Sequence, residues 1–200
     1  MIVEERMRTY INSLDTGNTP FLEELERHAL ENEVPIIRRE MQSFMKVLLA
    51  VKRPLQVLEV GTAVGFSTLL MCEYGQPDMH ITTIENYEKR IPIARENFRR
   101  AGKEDRITFL TGDAGEILPT LSGRYDMIFM DAAKGQYIHW LPEGELIESH
   151  YLVERRNRTI YKRMREYLYE LKHHPQLLTS IVPLGDGISL SVKRGNYEKN

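Results

Sequence analysis

Apolar residues recur at three- and four-residue spacing in two segments near the start of the chain, and this spacing predicts two amphipathic helices. Pro20 suits the first turn of the first helix, because its missing N–H would have no intrahelical partner there. Lys-Arg-Pro at 52–54 ends the second helix. We therefore predict an N-terminal helical cap over residues 1–53. The two apolar stripes consist of Phe21, Leu22, Leu25, Ala29 and Leu30, and of Ile37, Met41, Phe44, Leu48 and Val51.

The pattern changes from residue 54 onward. Short apolar or β-branched runs at 56–60, 81–85, 107–113 and 125–131 alternate with stretches compatible with helices. Such alternation predicts βαβ units and a parallel sheet with both faces covered.

The last part of the chain shows a third pattern. Residues 145–174 have the spacing of one long helix, and 180–184 and 188–193 predict two strands joined by a tight turn at 185–187. Together the patterns predict a single α/β domain over 1–200, with its core at 54–200.

Composition excludes several classes of protein. The chain has 200 residues and a net charge of −2. Its single cysteine excludes an intramolecular disulfide framework and a cysteine-rich zinc site. No apolar run approaches the roughly 20 residues that a bilayer span needs. The first residues lack the apolar core of a signal peptide, so we expect a cytoplasmic protein without a membrane partner. The balanced charge argues against a globally basic nucleic-acid binder.

A glycine loop follows the first predicted strand. Gly61 and Gly65 flank three residues between a strand and a helix, where backbone can approach a ligand closely. The G-x-x-x-G spacing differs from the G-x-G-x-x-G pattern of dinucleotide sites, so a dinucleotide fits less well. The alternative is a tight turn required only for packing.

Acidic residues end the next three predicted strands, where ligands of open α/β sheets bind. Glu85 is placed to accept from both hydroxyls of a ribose; the alternative is capping of the next helix. Asp113, followed by Ala114, is placed to accept from an adenine amino group or, alternatively, to cap a helix. Asp131 offers oxygen ligands to a divalent cation, and Lys134 is placed to take a proton or stabilise an oxyanion. Alternatively, these last two residues form a surface ion pair.

Five motifs occur in order along the chain: LEVGTAVGFS, TIE, GDA, FMDAAKGQY and the closing PLGDG with its strand pair. Together they resemble the cation-dependent O-methyltransferases, the S-adenosylmethionine family that includes catechol and caffeoyl-CoA methyltransferases. The resemblance implies a class I, Rossmann-like methyltransferase fold, a doubly wound sheet of seven strands with the last antiparallel, a divalent metal such as Mg²⁺, and a homodimer. It also implies that Asp131 binds the metal and that the cofactor site is lined by Ile37, Gly61, Ser67, Glu85, Asp113, Ala114 and Asp131.

Within the family, the opening helices, Val34-Pro35-Ile36 and a basic final helix resemble the bacterial tRNA 5-hydroxyuridine methyltransferases. Residues 149–165 contain six cations and one acid, a run suited to phosphate contact or, alternatively, to a solvated helix face. The resemblance implies metal-assisted methylation of the 5-hydroxyl of the wobble uridine to 5-methoxyuridine, with Lys134 assisting deprotonation. The predicted tRNA-binding stripe, at three- and four-residue spacing, is Arg155, Arg158, Lys162 and Arg165.

One departure from the family pattern concerns the fifth strand. In the family, a helix, a Pro-Gly-Gly turn and a strand ending in an Asp-Asn pair of metal ligands follow the DAAKGQY motif. This sequence passes from Glu143 directly to Gly144 without them. We expect that the segment belongs to the molecule and is missing from this sequence, because loss of a central strand exposes backbone groups. A true deletion leaves Asp131 as a lone ligand. One alternative to a tRNA enzyme is a catechol-like small-molecule O-methyltransferase. The other, which applies if the strand is truly deleted, is a degenerate cofactor-binding module.

Overall fold

The computed structural model describes residues 5–131, 158–184 and 187–194. The chain packs as two compact units, one of residues 3–131 and the other of residues 132–200 with 1–2. The first unit contains the helices α1 (Glu5–Ser13), α2 (Pro20–Glu31), α3 (Arg39–Lys52), α4 (Phe66–Tyr74), α5 (Ile91–Ala101) and α6 (Ala114–Ile117), and the strands β1 (Gln56–Val60), β2 (His80–Glu85), β3 (Ile107–Thr111) and β4 (Met127–Met130).

The four strands of the first unit form a parallel sheet in the order β3-β2-β1-β4. Val57 pairs with Ile81 of β2 on one side and with Met127 of β4 on the other. The four predicted strands are confirmed, and so is the α/β class with a parallel sheet. Because all four strands run in the same direction, their carboxyl ends meet at one edge, where the acidic residues singled out above follow β2, β3 and β4.

The N-terminal helices pack in the same unit as this sheet, with α2 and α3 both against α4. In α2 the residues Leu22, Leu25 and Ala29 are buried as predicted, whereas Leu30 is 63% exposed. In α3 the buried apolar residues are Met45 and Leu49, one position beyond the predicted Phe44 and Leu48, and Val51 is 78% exposed. The sequence pattern is ambiguous here, because apolar residues occur on both neighbouring stripes of α3, and its contacts with α4 and α1 select between them.

The second unit contains α7 (Arg158–His173), β5 (Leu177–Val182) and β6 (Ile188–Lys193). The two strands pair antiparallel, as predicted, with Thr179 opposite Ser191. Thr179 is buried, and its hydroxyl donates to the carbonyl oxygen of Leu171 at 2.7 Å, which ties the hairpin to α7. The predicted long helix is seen here from residue 158 onward.

The described parts of the chain contain six strands, four in the parallel sheet and two in the hairpin. The predicted gap in the fifth-strand region, near 143–144, lies outside the described residues, as does the proposed turn at 185–186. The division into a cap at 1–53 and a core at 54–200 stays a prediction. In the described segments we find no helix with the length and apolar character that crossing a bilayer requires.

Candidate cofactor site at the carboxyl edge of the sheet

The glycine loop between β1 and α4 folds back onto the end of β2. Gly61 and Gly65 have φ angles of 101° and 86°, in the left-handed region that glycine adopts without strain. The N–H groups of Gly61 and Thr62 both donate to the carbonyl oxygen of Ile84, at 3.0 and 3.2 Å, and that of Gly65 donates to Thr62 at 2.8 Å. Because these donors are used within the protein, they do not cradle a phosphate, which agrees with the poorer fit of a dinucleotide.

Gly65 also meets a packing requirement. A Cβ atom at this position would lie 2.5 Å from the ring of Phe98, and the φ angle is unfavourable for any other residue. The alternative interpretation of the loop, a turn required for packing, therefore holds for this glycine. A packing role and a ligand-binding role of the loop are compatible, because tight packing holds the loop in one conformation to which a ligand can bind.

Glu85 ends β2 as predicted, and its carboxylate is held by three backbone donors. Oε2 accepts the N–H of Ala63 in the glycine loop at 2.7 Å. Oε1 accepts the N–H groups of Asn86 at 3.1 Å and Tyr87 at 2.8 Å. The residue is only 7% exposed. The carboxylate thus both organises the turn that follows β2 and stands at the edge where a ribose was predicted.

Asp113 lies two residues beyond the end of β3 and caps α6, accepting the N–H of Gly115 at 2.8 Å. One carboxylate oxygen of Asp113 therefore acts as a helix cap, as the alternative prediction had it. Ala114 is buried, and the N–H of Gly112 donates to the carbonyl oxygen of Glu85 at 2.9 Å. These contacts bring the ends of β2 and β3 together at the predicted edge.

Asp131 follows β4, and its backbone N–H donates to the carbonyl oxygen of Val60 at 2.9 Å, next to the glycine loop. Its side chain is exposed. In residues 5–131, 158–184 and 187–194 no three His, Cys, Asp or Glu side chains come together as a metal site. Asp131 by itself therefore does not fit the requirements of a metal centre. Lys134 lies outside the described residues.

Ile37 and Ser67, both assigned to the cofactor site by resemblance, have contacts inside the protein. Ile37 belongs to the hydrophobic core, and its carbonyl oxygen accepts from Nε2 of Gln42 at 3.0 Å. Ser67 lies in the first turn of α4, and its hydroxyl donates to Oε1 of Glu59 at 2.5 Å. The donor capacity of the Ser67 hydroxyl is therefore already used.

Glu59, which the sequence analysis did not single out, is a fully buried carboxyl one residue before the end of β1. It accepts hydrogen bonds from the hydroxyls of Ser67, Thr68 and Thr83. Burial raises the pKa of Glu59 because desolvation penalises the charged form, while the three hydroxyl donors act in the opposite direction. The feature of the sequence that could have identified Glu59 is a charged residue within a largely apolar predicted strand.

Of the predicted basic stripe, Arg158, Lys162 and Arg165 lie within the bounds of α7. Arg155 lies outside the described residues. The stripe belongs to the second unit, whereas the edge described above belongs to the first.

A family model described as O-methyltransferase matches residues 12–194. The chain belongs to the O-methyltransferase family. The predicted O-methyltransferase family is thus confirmed. Nothing in the comparisons selects the tRNA-modifying enzymes within the O-methyltransferase family.

Two curated relatives define the similarity in sequence. The catechol O-methyltransferase of Mycobacterium tuberculosis is 34% identical over 137 residues, which cover 66% of this chain and 62% of that enzyme. The O-methyltransferase hkm8 of Aspergillus hancockii is 42% identical over 86 residues, covering 42% of this chain and 34% of hkm8. The aligned part of this chain thus spans less than two thirds of either relative.

Solved structures confirm the predicted Rossmann-like methyltransferase fold. The Podospora anserina methyltransferase PaMTH1, bound to S-adenosylhomocysteine, superposes with a TM-score of 0.80 at 22% identity, over 96% of this chain and 95% of PaMTH1. The O-methyltransferase TomG of Streptomyces achromogenes, in complex with S-adenosylmethionine, gives 0.76 at 19% identity, over 96% of this chain and all of TomG (100%). At these identities the likeness is one of fold.

Proposed function

We propose that this protein transfers the methyl group of S-adenosylmethionine to a hydroxyl of a small, catechol-like phenol. The observation that carries the proposal is the edge of the sheet, where the glycine loop and the carboxylates of Glu85, Asp113 and Asp131 follow four adjacent strands. Catechol O-methyltransferases are prominent among the relatives, those of Mycobacterium tuberculosis and Niastella koreensis each being 34% identical over the aligned part. This favours a phenol over a nucleic acid as the acceptor.

In this proposal the residues of the edge bind and orient the methyl donor. Glu85, already fixed by three N–H donors, presents its remaining lone pairs to the ribose hydroxyls. Asp113 has one oxygen in its helix cap and offers the other to the adenine amino group, beside the apolar surface of Ala114. Gly61, Ser67 and Ile37 complete the proposed lining. The bound sulfonium supplies the methyl group, so the protein contributes chiefly by positioning.

The acceptor oxygen must lose its proton as the new carbon–oxygen bond forms. We assign Asp131 and Lys134 to this part of the site, with Lys134 taking the proton or stabilising the oxyanion. Binding of Mg²⁺ or another divalent cation by Asp131 stays a prediction. Among residues 5–131, 158–184 and 187–194, no group of three His, Cys, Asp or Glu side chains is arranged to hold such an ion.

The direct test is a methyl-transfer assay with purified protein and S-adenosylmethionine. Catechol, caffeic acid and tRNA containing 5-hydroxyuridine are offered in parallel, and methylated products are identified by mass spectrometry. We expect a methylated phenol. Methylation of tRNA alone would contradict the proposal, and donor binding without any product would favour the degenerate module.

A tRNA acceptor is the second candidate, because the cations Arg158, Lys162 and Arg165 follow one another at four- and three-residue spacing in α7. Such a stripe suits a phosphate backbone, and binding through it would weaken as salt is added. A homodimer is a further prediction, which size-exclusion chromatography with light scattering tests.

A further inference from the structure

A buried amide on α5 is hydrogen-bonded to the second half of the glycine loop. Asn97 lies within α5 and is only 5% exposed. Its Nδ2 donates to the carbonyl oxygen of Val64 at 2.8 Å, across 33 positions of the chain. Val64 is itself buried and stands directly before Gly65, the residue that precedes the first turn of α4. The amide therefore joins α5 to the point at which the loop becomes a helix.

The next residue of α5 contacts the loop as well. The ring of Phe98 lies so close to Gly65 that a Cβ atom there would be 2.5 Å from it. Phe109 of β3 packs edge-on against the same ring, with 5.5 Å between the ring centroids. Such packing limits how closely the loop and α5 approach each other. A hydrogen bond is directional, so the amide of Asn97 also fixes the direction of a backbone carbonyl group.

The two halves of the loop are thus bonded to different elements. The N–H groups of Gly61 and Thr62 donate to the carbonyl oxygen of Ile84, so β2 holds the first half. Val64, in the second half, is bonded to Asn97 of α5. Loss of this amide would leave the bonds of the first half in place and release the second half together with the start of α4.

Packing alone does not require an amide at this position. Burying an amide costs free energy that its hydrogen bonds must offset, whereas leucine has nearly the same outline and carries no polar group. Asparagine is also a weaker helix former than leucine. What the amide of Asn97 adds is a partner for the carbonyl oxygen of Val64, which would otherwise be buried without this hydrogen bond.

We propose that Asn97 is a positioning residue for the methyl donor. By holding the carbonyl oxygen of Val64, it fixes the end of the glycine loop and the N-terminus of α4 in the shape that receives the donor. Its side chain is buried and bonded to the loop, so it acts through the loop. This inference rests on the proposed function, in which the loop belongs to the donor site. It predicts that the amide governs affinity for the donor and has little effect on the methyl-transfer step.

The sharpest test removes the amide N–H and keeps the shape of the side chain. Asn97→Leu does so, and Asn97→Asp places an oxygen where the NH₂ group now stands. Binding of S-adenosylhomocysteine to the purified full chain is measured by calorimetry. Thermal unfolding is recorded in parallel, and kcat and the KM for the donor are measured with the phenol that the wild-type protein methylates.

Arg106→Met is the matched control. The guanidinium group of Arg106 also donates to backbone carbonyl oxygens, but these lie towards the C-terminal end of α4 and in the turn that leads into β2, away from the glycine loop. They belong to Cys72, Gln76 and Met79. Arg106→Met therefore removes backbone-directed hydrogen bonds from the same helix at its other end.

We expect Asn97→Leu to raise the dissociation constant about fivefold to tenfold, because the carbonyl oxygen of Val64 loses its partner. The KM for the donor should rise by a similar factor, with kcat at saturating donor within about twofold of wild type. Arg106→Met should lower the melting temperature and leave donor affinity within about twofold of wild type. If Asn97→Leu does not fold, Asn97→Asp carries the same expectation.

Three results would overturn the inference. The first is unchanged donor affinity in a folded Asn97→Leu protein. The second is an equal loss of affinity in Arg106→Met, which would show that donor binding follows overall stability. The third is a fall in kcat with an unchanged KM for the donor. Failure of the proposed function looks different, because the wild-type protein itself would then not bind S-adenosylhomocysteine or would bind it without methylating a phenol.

Discussion

The carboxylate of Glu85 accepts the backbone N–H of Ala63 at 2.7 Å, joining the end of β2 to the middle of the glycine loop. Ala63 has a φ angle of 49°, an uncommon conformation for a residue with a side chain. An alanine does not favour this backbone conformation by itself, and here the hydrogen bond to Glu85 accompanies it. A loop held in this way needs little reorganisation on binding, which benefits affinity.

Glu85→Gln should weaken binding of S-adenosylhomocysteine by about tenfold or more. All three protein partners of this carboxylate are N–H donors, and an amide offers one oxygen where two now accept. At least one donor must then face the amide NH₂ group. Calorimetric titration measures the effect, with the exposed Glu88→Gln as control. Unchanged affinity would remove Glu85 from the donor site.

Asp131→Asn and a chelator test the predicted metal at the end of β4. If Asp131 holds a divalent cation that activates the acceptor, EDTA should lower wild-type turnover by more than about tenfold, since Lewis-acid activation is worth several kcal/mol. Asp131→Asn should show a similar loss and no further response to EDTA. The exposed Asp105→Asn serves as control. Full activity of Asp131→Asn in the presence of EDTA would contradict the assignment.

Charge reversal on α7 separates the two acceptor classes. The triple variant of Arg158, Lys162 and Arg165 to Glu should methylate a small phenol within about twofold of wild type, because none of the three is among the residues proposed to bind the donor or the phenol. Binding to tRNA, if it occurs through this face, should be abolished in the variant and should weaken steeply with salt in the wild type. Phenol methylation and tRNA binding are measured for the wild type and the variant in one series of assays. Loss of phenol methylation without loss of folding would place this face in the phenol site.

At the end of the sheet opposite the candidate cofactor site, the contacts of Asp126 predict that the stability of the protein depends on pH. Its carboxylate accepts the N–H groups of Leu55 at 2.9 Å and Gln56 at 3.0 Å, and these backbone donors lower its pKa from the ordinary value of 3.8. A carboxyl whose pKa is lowered by folding contributes stability above its unfolded pKa, and this contribution is lost as the pH falls through the folded value.

Asp126→Asn should therefore be less stable than wild type at neutral pH, and the difference should shrink as the pH falls below about 3.8. Urea unfolding of both proteins between pH 7 and pH 3 measures it. A stability difference between the two proteins that does not change with pH would show that the charge of Asp126 does not contribute to it.

The positions of Glu85, Asp113 and Asp131 were predictable, because each lies at or just beyond the end of a short apolar or β-branched run that is typical of a strand. Their contacts were not predictable. The Glu85 bond to Ala63 spans 22 positions of the chain, and the bonds of Glu59 join residues eight to 24 positions apart. Such bonds exist only after the strands are aligned. In α3, likewise, the choice between two adjacent apolar stripes required the contacts with α4 and α1.

The sequence by itself determined that strands alternate with helices, that acidic residues end three of those strands, and that a glycine loop follows the first. These are local properties, set by periodicity and by residues next to each other in the chain. Only the tertiary structure decided which hydroxyls meet the buried carboxyl of β1 and which N–H groups hold the carboxylate of β2. Parallel pairing brings distant segments together, and the cost of burying a charge requires partners that no local pattern specifies.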